Sequence, residues 1–232
     1  MKKIGMRFLI ILLLLSFLQC GPALEACSTF VLKSGKNLVF GRNYDWDVGA
    51  GYVMVNKRNL AKKAIRFSDT TSEPAQWVSK YGSITFNQYG KEYPMGGMNE
   101  TGLVLEVMWL QQIEFPEPDA RPTLDELQWV QYQLDTASSV RDVIRSDASI
   151  RISPNSQPIH FLLSDKTGEA ATIEFLDGKM VYHSGSTLPV KALTNSTYTE
   201  SMEYLKGHKG FGGGQGNRHL RAFPGPFCKG GR

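Results

Sequence analysis

Cysteine is nearly absent from this sequence: three residues in 232, at Cys20, Cys27 and Cys228. One lies in an N-terminal apolar stretch, one directly after Ala26 and one near the last residue, so no disulfide framework can be built. Histidine is scarce as well, with four in the chain. His160 and His183 fall in segments that read as strands, where a satisfied structural histidine is expected rather than a metal ligand. No metal and no organic cofactor is called for. There is no internal repeat. The glycine-rich GFGGGQGN lacks the following Lys-Ser or Lys-Thr, and the helix, that a phosphate-cradling loop needs, so it reads as a flexible loop.

A concentrated positive charge is also missing from the body of the chain. The net charge is +4, but Lys2, Lys3 and Arg7 against Glu25 account for +2, and Arg218, Arg221, Lys229 and Arg232 for +4, which leaves the remainder at −2. A mildly acidic body carries no electrostatic footprint for nucleic acid. The chain is long enough for one ordinary domain with a sizeable core.

What is present begins with an N-terminus in three parts: basic MKKIGMR, apolar FLIILLLLSFL and a polar approach to a small residue in ALEA. This is the build of an export signal over 1–26, and its apolar core is too short for a comfortable membrane span. The expectation is an exported protein, periplasmic or secreted, with no stable span after processing. A lipoprotein signal ending at Cys20 is disfavoured by Gln19, where a small residue belongs.

From Cys27 to Val55 the pattern is strand-like, with STFVL, a turn over Ser34 to Asn37, NLVFGRNYDW and YVMVN. Further strands are expected in AIRF, SITFNQY and GLVLEVMWL. Thr123 and Glu126 form a T-x-x-E capping box for a helix that places Leu127, Val130 and Leu134 on one face. A second helix starts at about Ser139, with Val140, Val143 and Ile144 on one side. IHFLLSD, AATIEFL, KMVYHSG and VKALTN return to strand, and a last helix runs from Tyr198 to Leu205. Strands, then helices, then strands indicate α+β layers with antiparallel sheets.

Cleavage after Ala26 would leave the Cys27 thiol and a free α-amino group on one residue, a nucleophile carrying its own base. Such an amine has a reference pKa of roughly 7.7–8.0, so near neutrality it can accept the thiol proton, directly or through water. On position alone, a small core residue and a lipidated or cross-linked cysteine stay open beside the nucleophile.

The segment CSTFVLKSGKNLVFGRNYDWD resembles the opening of the choloylglycine hydrolase family, which includes bile salt hydrolases and penicillin V acylases. GGMNETGLVLEVMWL and ALTNSTYTE extend the likeness, to about Gly213. The resemblance implies a four-layer αββα N-terminal-nucleophile domain over 27–213 and cleavage of a linear amide bond by Cys27 through a thioester. It places Arg42 and Asp45 in the active site, with Arg42 supplying fixed guanidinium donors and Asp45 accepting from the amine or thiol. Asn195 matches an oxyanion-hole asparagine. Trp109 stands where bile salt hydrolases carry Asn, so a backbone N–H there would supply the second donor; the variant looks more like the Gram-negative penicillin V acylase branch. Asn99 reads as structural. The partner implied is a small acyl-amide, such as penicillin V, a conjugated bile salt or an N-acyl homoserine lactone, and a homo-oligomer stays open.

The segment 214–232 does not fit. Family members continue with more sheet and helix and an active-site arginine in a motif like S-L-D-R-F-V, whereas this chain ends RHLRAFPGPFCKGGR. With one choice of codons, the stretch Phe223 to Gly231 reads Ser-Leu-Asp-Arg-Phe-Val-Lys-Ala one base later. The expectation is a frameshifted tail on an incomplete domain, with poor folding and weak or absent hydrolysis. The rival readings are a non-catalytic exported binding or envelope protein, and a decayed amidase.

Overall fold

One residue after Cys27 the chain enters a hairpin: β1 (Ser28–Ser34) and β2 (Asn37–Asn43) pair antiparallel around Gly35. The φ of 57° at Gly35 is the left-handed conformation that a two-residue hairpin turn demands. The structure is a computed structural model that describes residues 27–208 apart from 47, 66–71 and 155. The export signal at 1–26, the glycine-rich loop and the tail at 214–232 lie outside the described residues.

After β2 come β3 (Tyr52–Asn56) and a small pair, β4 (Ala61–Lys63) with β5 (Gln76–Val78). Then follow β6 (Ser83–Asn87), β7 (Pro94–Asn99), β8 (Val104–Trp109) and short β9 (Thr123–Leu124). Helices α1 (Glu126–Thr136) and α2 (Val140–Ser146) lead through β10 (Arg151–Ile152) to β11 (Ile159–Ser164), β12 (Ala170–Leu176) and β13 (Lys179–Ser184). Last come β14 (Ala192–Leu193) and α3 (Tyr198–Lys206). Seven strands form one sheet in the order β13-β12-β11-β8-β7-β6-β3, with every neighbouring pair antiparallel. A second sheet has the order β14-β1-β2.

The period-two alternation assigns each face of the large sheet to a different neighbour. Leu105, Val107, Phe161, Leu163, Ile173 and Phe175 face α1 and α2, where Leu127, Val130, Leu134, Val140 and Val143 close the main core. On the other face Met108, Leu162 and Ala170 pack with Cys27, Val31 and Leu193 of the second sheet. Because β8, β11 and β12 are covered on both sides, their sequences read as near-continuous apolar runs. The few polar residues in those runs, Glu106, His160, Thr172 and Glu174, are buried and share parity with Met108 and Leu162, which puts them between the two sheets.

The α+β architecture therefore stands, with three layers among the described residues: helices, large sheet, second sheet. Three local expectations are corrected. Thr123 does not cap α1: its N–H donates to Glu73 and its carbonyl accepts from Ala75, which keeps it extended in β9. Asp125 caps instead, accepting from the Gln128 N–H at 2.7 Å, and burial pushes its carboxyl up to about 7 despite that bond. The strand expected in AIRF lies earlier, at Ala61–Lys63, leaving Ala64 and Ile65 outside it. VKALTN contributes only two strand residues, since β14 pairs with β1 only at Thr29 and Phe30. Ser139 caps α2 and Thr197 caps α3, the latter with a reciprocal box to Glu200.

Candidate active site

β1 runs between its two neighbours, and their registers position the residues singled out by the sequence. Thr29 lies opposite Arg42 on β2 and Leu193 on β14. Cys27 directly precedes the first pair of the hairpin, Ser28 with Asn43. Cys27 is 6% exposed, at the head of β1 in the apolar cluster between the sheets. Its thiol meets the main-chain carbonyl of Asp45, with the sulfur 3.6 Å from the oxygen. The Asp45 Oδ2 accepts from Asn43 Nδ2 at 3.0 Å.

Arg42 reaches down from β2 onto the large sheet. Nη1 donates to Glu106 Oε2 at 2.6 Å and to the Met95 carbonyl at 3.0 Å, while Nη2 donates to the Val107 carbonyl at 3.2 Å. Its guanidinium also lies 4.2 Å from the centre of the Tyr44 ring. Glu106 is buried so deeply that desolvation outweighs Arg42 and pushes its carboxyl up to about 7. Gly96 makes room for that carboxyl, for a Cβ built there would overlap it. Burial raises the Tyr44 phenol above its usual range, and the phenol donates to Gln88 Oε1 at 2.8 Å.

Asn195 donates through Nδ2 to the Trp109 carbonyl at 2.8 Å. An amide NH₂ has two hydrogens, so one N–H remains beyond that bond. The turn before Asn195 is fixed by His160, fully buried, whose Nε2 lies 2.7 Å from the Thr194 carbonyl. Its Nδ1 lies 3.1 Å from Glu174 Oε1, which also accepts the Tyr198 N–H at 2.9 Å. His160 is thus structural, as expected from the sequence, and through Thr194 and Tyr198 it positions both flanks of Asn195. Of the backbone donors near Trp109, the Leu110 N–H is spent on the Pro158 carbonyl at 2.9 Å. An aromatic wall borders the site: the Trp46 ring centre lies 6.3 Å from that of Tyr44 and 6.2 Å from that of Trp109.

Residues 27–219 match the family model described as linear amide C–N hydrolases, choloylglycine hydrolase family. The chain belongs to that family. A penicillin V acylase of Pectobacterium atrosepticum is 30% identical over 199 residues, which cover 77% of this chain and 52% of the relative. The solved structure of penicillin V acylase from Agrobacterium tumefaciens is similar with a TM-score of 0.66 at 30% identity, over 78% of this chain and 57% of that one. A mutant conjugated bile acid hydrolase from Clostridium perfringens shares the fold, with a TM-score of 0.63 at 20% identity over 79% of this chain and 58% of its own. This choloylglycine hydrolase family member therefore spans about half the length of the relatives it matches.

The structure gathers Cys27, Arg42, Asp45, Trp109 and Asn195 around one end of the second sheet. Sequence reasoning passed over Tyr44, Gly96, Glu106 and the positioning role of His160. Two signals pointed to Glu106 and Gly96: the lone acid in the apolar run GLVLEVMWL, and the adjacent glycines of PMGGMN inside a strand.

Proposed function

We propose that this protein cleaves a linear amide with Cys27 as an N-terminal nucleophile. The observation that carries the reading is the place of Cys27 directly before β1, buried between the sheets with its thiol 3.6 Å from the main-chain carbonyl of Asp45. The freed α-amine takes the thiol proton and the sulfur adds to the amide carbonyl. The second Asn195 N–H stabilises the oxyanion. Collapse breaks the C–N bond, and the amine leaves with the proton held by the α-ammonium. Water, deprotonated by the same α-amine, then hydrolyses the thioester, releasing the acid and restoring the thiol. Arg42 and Asp45 hold the nucleophile's surroundings in place.

Among the three substrate classes implied by the resemblance, the aromatic wall of Tyr44, Trp46 and Trp109 supports a flat aromatic acyl group. Penicillin V, with its phenoxyacetyl group, is therefore the first substrate to test, ahead of conjugated bile salts and N-acyl homoserine lactones. Acid-quenched mass spectrometry of the mature chain with penicillin V tests acylation apart from turnover. A phenoxyacetyl adduct on the peptide that begins at Cys27, absent in Cys27→Ala, is the expected result. An unmodified Cys27 peptide at saturating substrate contradicts the reading.

A further inference from the structure

Asn195 lies between two elements and is held by neither. β14 ends at Leu193 and pairs with β1 only at Thr29 and Phe30, while α3 begins at Tyr198. The Asn195 side chain makes one hydrogen bond among the described residues, from Nδ2 to the Trp109 carbonyl, and its buried Oδ1 has no partner among them. A single bond fixes a point and not an orientation. The direction of the second N–H is therefore set by where the main chain on either side is anchored.

Both anchors come from the large sheet. His160 on β11 and Glu174 on β12 are buried. His160 Nε2 lies 2.7 Å from the Thr194 carbonyl, immediately before Asn195. Glu174 Oε1 accepts the Tyr198 N–H at 2.9 Å, a group that has no partner within the helix it starts. The two side chains meet each other, with Nδ1 at 3.1 Å from Oε1. Glu174 Oε2 has no partner among the described residues, so the bonds of the pair run only to the two flanks of Asn195.

These contacts determine the hydrogens. A carbonyl only accepts, so His160 Nε2 carries a hydrogen. One more hydrogen is needed between Nδ1 and Oε1, whether it sits on an imidazolium facing a carboxylate or on a carboxyl facing a neutral imidazole. Both descriptions have the same proton count and leave the buried pair without net charge. A hydrogen on Nδ1 alone would turn a lone pair toward the Thr194 carbonyl and break that anchor.

We propose that His160 and Glu174 form a proton-sharing positioning pair for the oxyanion donor: the hydrogen held between them keeps both flanks of Asn195 anchored and so aims its second N–H. The inference rests on the proposed role of Asn195 in amide cleavage. The pair takes no part in the proton transfers of the reaction. A packing role alone would require volume at these positions but no particular proton count.

The test compares two reactions of Cys27 in the mature chain, acylation by penicillin V and alkylation by iodoacetamide. Acylation passes through an oxyanion and alkylation does not, so the ratio of their rates isolates the donor. Glu174→Gln keeps the shape, but an amide has no hydrogen to share from the oxygen that holds Tyr198, so one of the three bonds is lost. Acylation should slow by about ten- to a hundredfold, as for a misplaced oxyanion donor, with alkylation unchanged. His160→Gln sets a donor near the place of Nε2 and His160→Asn near that of Nδ1, so His160→Gln should retain more acylation. Acylation of Glu174→Gln at the parent rate, or a parallel loss of acylation and alkylation, overturns the proposal. A parent chain that alkylates at Cys27 without acylating contradicts the amide-cleavage reading instead. The pair is then tested by the side-chain NMR signals of Asn195, identified by their loss in Asn195→Asp. Signals displaced in Glu174→Gln and His160→Asn, and less so in His160→Gln, support the positioning role, and unmoved signals overturn it.

Discussion

The Arg42 guanidinium holds the Glu106 carboxylate at 2.6 Å between the two sheets, yet burial keeps that carboxyl harder to ionise than in water. The unfolded chain releases this proton near the ordinary value of about 4.3, and the folded chain releases it at about 7. Between the two the folded state holds more protons. Stability therefore falls as pH rises through this window, by on the order of 1–3 kcal/mol for the group. Asp125, also pushed up to about 7 by burial, adds a change of the same sign. Asp119 and Asp142, whose carboxyls lie lower than usual, act only below this window. Thermal melts should give a higher Tm at pH 5 than at pH 8, and Glu106→Gln should flatten part of that slope. A Tm that rises from pH 5 to pH 8 contradicts the assignment.

Gly96 is predicted to tolerate no side chain while Glu106 is present. Gly96→Ala pushes the carboxyl off Arg42 and leaves a buried guanidinium without its ion partner, a loss of about 3–5 kcal/mol by analogy with broken buried pairs. In a Glu106→Ala background the overlap is gone, so the same substitution should cost much less. Equal costs in the two backgrounds, measured by denaturant unfolding, would falsify the packing argument.

Asn99 joins the turn after β7 to the end of α1. Its Nδ2 donates to the Leu134 and Ala137 carbonyls at 3.0 and 2.8 Å, and its Oδ1 accepts from the Thr101 and Leu103 N–H groups at 3.1 and 3.0 Å. Asn99→Ala strands buried groups on both elements and should cost about 3 kcal/mol. The matching fall in Tm is roughly 6–12 °C for a domain of this size. Alkylation of Cys27 in the folded protein should be unchanged. A large change in alkylation with no loss of Tm would move Asn99 from scaffold to site.

Much of the fold was legible because strand periodicity and turn chemistry coincide: AATIEFL, Asp177-Gly178 and KMVYHSG read directly as β12, turn and β13. The short strands escaped detection. β9 and β10 have two residues each, and the long-range pairing that keeps Thr123 extended overrides a good local capping signal. β7 was missed since PMGGMN has little strand propensity; its glycines are set by a close approach to Glu106 and to β6, which a linear pattern does not display. Of the candidate site, Cys27, Arg42 and Asp45 stood out through the motif CSTFVLKSGKNLVFGRNYDWD, and Trp109 and Asn195 through two further segments that resemble the family. Glu106 and His160 did not, because their roles depend on the two sheets stacking face to face.

The central claim is that Cys27 is the mature N-terminal residue and a reactive thiol. Intact mass of the exported protein, measured with and without iodoacetamide, reports both properties at once. The account predicts a mass that begins at Cys27, with rapid addition of a carbamidomethyl group that is lost in Cys27→Ser. A retained leader, or a Cys27 that stays blocked or inert in the folded protein, would contradict it.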